Sequence, residues 1–142
     1  MADKKTVLVG GCFDILHFGH LSFLTQAKEA GDLLVLLLES DEFIKTKKGK
    51  QPIHNQDQRA AILASLYQVD FVVLLPYLKT YREYLDVIKM IKPKLIGVTR
   101  GDINLNFKKR QAQEIGAEVI EIIDTVGNFS SSKILHEIIS SN

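Results

Sequence analysis

Five short apolar runs, separated by helical patterns, constrain the fold more than any other feature of this sequence. They are Thr6–Gly10, Leu33–Leu38, Phe71–Leu75, Lys94–Val98 and Glu118–Ile122. All are rich in Val, Ile and Leu and mostly lack polar alternation, as parallel strands do when both faces are covered. Between them, apolar residues recur three and four apart. Leu21, Leu24 and Ala27 lead to a helix stop at Gly31. Ile62, Leu63 and Leu66 mark a helix over Gln56–Tyr67, and Tyr84, Leu85, Ile88 and Ile91 mark another that halts before Pro93. Phe107–Ile115 is a fourth, ended by Gly116. Ser130, Ser131 and Ser132 can cap a last helix, with Ile134, Leu135, Ile138 and Ile139 on its apolar face. This alternation predicts an α/β fold, an open parallel sheet of about five strands with helices on both faces. Such sheets hold ligands beyond the carboxyl ends of their strands, near the topological switch point.

Composition narrows the function classes. A chain of 142 residues with 46% hydrophobic content suits one domain over residues 1–142 with a single core. Its net charge of +1 balances 18 Lys and Arg against 17 Asp and Glu, so nucleic acid is not an expected partner. Cys12 is the only cysteine, which excludes an internal disulfide and a Cys-rich zinc site. Met1–Thr6 is polar, without the apolar core of a signal peptide, and the longest apolar run, Leu33–Leu38, is too short to span a bilayer. The expected setting is therefore cytoplasmic, with no membrane partner.

The densest chemistry follows the first apolar run, in Gly10-Gly-Cys-Phe-Asp-Ile-Leu-His-Phe-Gly-His20. Two glycines allow close approach of the backbone to a ligand. A helix is expected to begin near Gly19 or His20, and its free N–H groups and dipole favour a phosphate. His17 and His20 lie three apart and would share one helical face. Two imidazoles there can donate to oxygens that gain charge as a P–O bond breaks. No GxxxxGK[ST] loop is present, and Gly10, Gly11 and Gly19 lack the GxGxxG spacing. Zinc held by the histidines would need a third ligand, with Cys12 or Asp14 as the nearby choices. A capping or core role for one histidine is the structural alternative. His54 and His136 stand in no motif. The polar, Lys-rich stretch Thr46–Gln58 reads as a long loop and a candidate lid.

Gly11-Cys-Phe-Asp-Ile-Leu-His-Phe-Gly-His20 resembles the GxFDxxHxGH signature of the cytidylyltransferase-like nucleotidyltransferases. The resemblance continues through Ala30-Gly-Asp32, Ser40-Asp41, the lysine-bearing Lys45–Gly49, Gln58-Arg59 to Val69-Asp70, Gly101-Asp102 and Phe129-Ser-Ser-Ser-Lys-Ile134. Within that family the sequence most resembles the adenylyltransferase domain of ADP-heptose synthase and glycerol-3-phosphate cytidylyltransferase. What the resemblance implies is a Rossmann-like fold, with AMP or CMP passing from ATP or CTP to a phosphorylated sugar or polyol and pyrophosphate released. Catalytic roles then fall to His17, His20, Arg59 and a loop lysine. The heptose-type pattern points to Lys45 and Lys48, the glycerol-type pattern to Lys47. Arg59 would reach the β and γ phosphates, where its fork matches paired oxygens. Gly11, Cys12, Phe13, Asp14, Gly19, Gly101, Asp102, Ser130, Ser131 and Ser132 would line the nucleotide site. Arg100 and Lys133 would bind the acceptor phosphate, and Mg²⁺ would accompany the NTP, with Asp14 and Asp102 as contacts to metal or nucleotide. Family members are often homodimers.

Two departures bear on the acceptor. Asp124-Thr125 stands where glycerol-type enzymes carry Arg-Thr, and Thr99-Arg-Gly-Asp102 stands where heptose-type enzymes carry GGD. A glycerol-type cytidylyltransferase and an FAD synthase-type adenylyltransferase remain as alternatives. A nucleotide-binding sensor without turnover is the non-enzyme alternative.

Overall fold

The computed structural model describes residues 3–122. The elements run β1 (Thr6–Gly11), α1 (Phe18–Glu29), β2 (Leu33–Leu38), α2 (Asp41–Lys48), α3 (Gln56–Ala64), β3 (Phe71–Leu74), α4 (Tyr81–Ile91), β4 (Leu95–Thr99), α5 (Leu105–Ile115) and β5 (Glu118–Ile122). All strand pairs are parallel, and the sheet order is β3-β2-β1-β4-β5. The expected Rossmann-like open sheet is therefore what the chain builds. The last expected helix, with Ser130, Ser131, Ser132 and Lys133, lies outside the described residues.

The unbroken apolar strands have a simple consequence. Successive side chains point to opposite faces, so a strand of Leu and Val feeds two cores. Val7, Val9, Leu34, Leu36 and Leu38 pack with Leu24 and Ala27 of α1 and Leu63 of α3. Leu8, Val35, Leu37, Ile96 and Val98 pack on the other face with Ile88 of α4 and Ala112 of α5. Each buried Val, Leu or Ile side chain stabilises the fold by roughly 1.5–3 kcal/mol. Helices thus cover both faces, and among the described residues none is long and apolar enough to cross a membrane.

The chain runs outward from β1 through β2 to β3, then returns to pair β4 with the free side of β1. That reversal opens a crevice at the carboxyl ends of β1 and β4. Gly11–His17 and Arg100–Asp102 follow those two strand ends.

The expected loop Thr46–Gln58 needs correction. Most of its lysines stand on α2, a helix that apolar periodicity does not reveal. Ser40 caps it by accepting from the Phe43 N–H at 3.1 Å. Asp41 and Glu42 occupy its first turn, Lys45, Lys47 and Lys48 its last, and Gly49 closes it in the left-handed conformation at φ 64°. The connecting loop shrinks to residues 49–55, because Asn55 caps α3 in a reciprocal box with Gln58. Other boundaries moved less. Helix α1 starts at Phe18, ahead of Gly19, and α3 ends at Ala64, short of Tyr67.

Candidate functional site

The turn after β1 is held under strain. Phe13 adopts φ +48°, a left-handed conformation that costs a bulky residue about 1–2 kcal/mol. Packing holds it there. The Phe13 ring lies where a Cβ on Gly11 would come within 2.8 Å of it, so a residue without a side chain at Gly11 makes room for the ring. On its other side the same ring sits 5.0 Å from the ring of His20.

His17 is the N-cap of α1, and the first turn carries no acidic side chain to compete for an anion. The rings of His17 and His20 stack with centroids 3.8 Å apart and planes 23° apart. The His17 backbone N–H donates to His20 Nδ1 at 3.4 Å. In the neutral ring that acceptor role leaves the proton on Nε2. Burial, then the neighbouring His17 charge, pushes the His20 pKa down to about 4. His20 is therefore neutral near pH 7. Its side chain also hydrogen-bonds the Ile15 backbone, which opposes that fall without cancelling it.

This shift carries a stability prediction. Protonation of the folded chain is penalised between the ordinary value of 6.5 and about 4. Stability is complete above pH 6.5 and falls as pH drops toward 4, by at most about 1.4 kcal/mol per unit for one proton. Burial raises the Glu39 pKa, which acts with the opposite sign. The difference between wild type and His20→Asn isolates the histidine. Thermal melts from pH 7 to 4 should show a shallower acid limb in the variant, and parallel curves would refute the shift.

Lys48 is the lysine that the fold brings to this turn. Its side chain is in hydrogen-bond contact with the Cys12 sulfur, and its charge bears on His20. Lys45, Lys47 and Lys48 are all exposed, and of the three Lys48 is the one that acts on Cys12 and His20. Burial raises the Cys12 pKa and outweighs Lys48, so the thiol stays protonated.

Arg59 departs most from expectation. It is 1% exposed and turns inward. Nε donates to the His54 carbonyl at 3.0 Å, and Nη1 donates to the Cys12 and Glu39 carbonyls at 2.8 and 2.9 Å. Nη2 pairs with Asp41 Oδ1 at 2.6 Å. With its fork spent on four protein acceptors, Arg59 ties together the turn after β1, the end of β2 and the loop before α3. This geometry does not aim it at β and γ phosphates.

Asp14 is likewise engaged within the protein. Its buried carboxylate accepts from the Ile53 N–H at 2.9 and 3.0 Å and from the His54 N–H at 3.0 Å. It anchors the loop of residues 49–55 at Ile53 and His54. Asp102 accepts from the Asn104 N–H at 2.7 Å and pairs with Lys108 at 2.5 Å. Burial opposes its ionisation, yet Lys108 and the Asn104 N–H hold its pKa below the ordinary value. Gly101, at φ +84°, makes the turn that precedes it. Gly19 lies in the first turn of α1. Arg100 is exposed at the end of β4, with its backbone N–H on the Ile122 carbonyl.

No group of three or more His, Cys, Asp or Glu side chains among the described residues is arranged to hold a metal ion. Asp14 and Asp102 spend their oxygens on backbone amides and Lys108. The described residues therefore do not fit a magnesium held by the protein itself.

Sequence reading missed Glu39 and Tyr84. Glu39 follows β2, and its Oε2 accepts from the Tyr84 hydroxyl at 2.8 Å. The two are 45 positions apart. The one signal in the sequence is an acidic residue directly after an apolar strand, where α/β sheets bind ligands.

A family model described as cytidylyltransferase-like matches residues 8–141. The bifunctional protein HldE of Campylobacter jejuni subsp. doylei is 39% identical over 140 residues, covering 96% of this chain. The chain spans only 28% of that protein's length. FAD synthase of Pyrococcus horikoshii is 40% identical over 120 residues, covering 83% of this chain and 79% of its own. Among solved structures, the lipopolysaccharide core biosynthesis protein of Thermoplasma volcanium superposes with a TM-score of 0.70 at 25% identity, covering 87% of this chain and 98% of that one.

Proposed function

The chain belongs to the cytidylyltransferase-like family, and on that premise we propose that it transfers AMP from ATP to a phosphorylated sugar or polyol, releasing pyrophosphate. The observation that carries this reading is the stacked His17–His20 pair at the N-terminus of α1, beside the crevice between β1 and β4. An oxygen of the acceptor phosphate attacks the α-phosphorus, the bond to the bridging β-oxygen breaks, and pyrophosphate departs. The protein needs no nucleophile. It must align two anions and stabilise the charge that develops between them. Imidazole N–H groups, the free amides of the first turn of α1 and the Lys48 ammonium suit that task.

ATP is favoured over CTP because one relative is a synthase of FAD, a dinucleotide with AMP as one half. A sugar or polyol acceptor is favoured by the lipopolysaccharide core biosynthesis protein among the structural neighbours. Arg100, exposed at the end of β4, is proposed to meet the acceptor phosphate, with Lys133 as the next candidate. Magnesium is proposed to arrive with the triphosphate, and the active species is proposed to be a homodimer.

A pyrophosphate-release screen tests the reading. ATP and CTP are each combined with phosphorylated sugars, phosphorylated polyols and FMN. Release with ATP and a sugar or polyol phosphate is expected. Release only with FMN would replace the acceptor class, and nucleotide binding without any release would favour the sensor alternative. The lysines can be separated in the same assay. Lys48→Met should lower kcat/KM by at least about tenfold, the effect of losing one charged hydrogen bond. Lys45→Met and Lys47→Met should stay within about twofold. Equal losses at all three positions would mean a diffuse charge effect.

A further inference from the structure

Glu39 stands at the carboxyl end of β2, and its backbone is fixed on both sides. Its N–H donates to the Gly11 carbonyl at 3.0 Å, and its carbonyl accepts from Arg59 at 2.9 Å. The side chain is held too, since Oε2 accepts the Tyr84 hydroxyl proton at 2.8 Å. Oε1 is different. It is buried and has no hydrogen-bond donor among the described residues. A buried carboxylate oxygen left without a donor is costly, so proteins rarely keep one without a use.

Its surroundings link it to the candidate active site. The Glu39 charge bears on Cys12, which Lys48 contacts, and Lys48 bears on His20. The charges of Lys108 and Arg59 also bear on Glu39. Burial raises the Glu39 pKa, and Tyr84, Lys108 and Arg59 oppose that rise. Glu39 directly follows β2, and its N–H bonds the Gly11 carbonyl, so it stands at the same strand ends as the turn that leads to the histidine pair, with its carboxyl held by Tyr84 of α4. A carboxylate repels phosphate, so its natural ligand is a donor, and the donors that the two substrates proposed above have in common are hydroxyl groups.

We propose that Glu39, oriented by Tyr84, is a hydroxyl-binding subsite in which Oε1 accepts a hydrogen bond from a sugar or polyol hydroxyl of a substrate. The hydroxyl belongs to the acceptor or to the ribose of the nucleotide. The proposal rests on the transferase reading above. Tyr84 is the positioning residue, because its hydroxyl fixes the carboxylate rotamer without needing to touch substrate.

The test uses the full chain with Glu39→Leu, Glu39→Gln and Tyr84→Phe. Binding of ATP, of 2′-deoxy-ATP and of the acceptor found by the screen, or of glycerol 3-phosphate if none turns over, is measured by calorimetry. KM and kcat are measured where turnover exists. Glu39→Leu should weaken one ligand by at least about tenfold, the size of a lost charged hydrogen bond. Glu39→Gln should recover part of that, since its amide oxygen still accepts. Tyr84→Phe should raise the same KM while leaving kcat nearly unchanged. Weaker acceptor binding alone assigns the hydroxyl to the acceptor. Weaker ATP binding, reproduced in wild type by 2′-deoxy-ATP, assigns it to ribose. Unchanged affinity for both ligands in Glu39→Leu, whether or not its melting temperature falls, overturns the proposal and makes Glu39 part of the scaffold. A wild type that binds these ligands but releases no pyrophosphate defeats the transferase reading alone, because the binding arm still decides the subsite.

Discussion

Arg59→Met should lower the unfolding free energy by about 3–5 kcal/mol, the range for deleting one member of a buried, hydrogen-bonded ion pair. Met fills much of the apolar volume of the Arg stem but offers no donor. The carbonyls of Cys12, Glu39 and His54 then each lose a partner, and Asp41 loses its counter-ion. Asp41 is 34% exposed on its side chain, so water can recover part of its loss. The three carbonyls account for most of the cost. Arg59→Lys should recover only a fraction, because one ammonium cannot span acceptors on three separate segments. Urea unfolding followed by circular dichroism measures the effect. A loss under about 1 kcal/mol with a collapse in turnover would mean that Arg59 leaves its cradle to bind phosphate. That outcome would restore the role its position in the sequence suggests.

The second large effect is kinetic. His20→Ala and His17→Ala should each lower kcat by about two to three orders of magnitude, as for loss of one preorganised donor in a transition-state site. The two rings stack, so removing either also frees the other to rotate. The double variant should therefore lose less than the product of the single losses. Single-turnover pyrophosphate release separates this from weakened binding. Near-normal release in both single variants would remove the histidines from the chemistry. His20→Asn is informative as well. It keeps a donor without the buried imidazole, so it should retain more activity than alanine.

Local pattern explains what was legible. The five strands were readable because each feeds two cores, so Val7 and Leu8, or Leu36 and Leu37, are both apolar. Strand ends shifted by at most one residue. Helix α2 was missed because Ile44 is its one buried residue and leaves no apolar period. Its signals were in the caps and charges instead, from Ser40-Asp41-Glu42 to Lys47-Lys48-Gly49. Of the loop lysines, spacing left three open. The fold separates them, since all three are exposed but Lys48, one turn beyond Ile44, is the one that acts on Cys12.

By itself the sequence determined the fold class, the strand-to-helix junction that carries His17 and His20, and the pairing of those rings on one turn. These depend on residues within about four positions of one another, and short-range periodicity and spacing report them directly. Only the tertiary structure decided the sheet order, the inward turn of Arg59, the neutrality of His20 and the meeting of Glu39 with Tyr84. A long side chain points wherever distant segments offer acceptors, and Arg59 found them at Cys12, Glu39, Asp41 and His54. A pKa follows desolvation, and desolvation exists only once the rest of the chain has packed around the group.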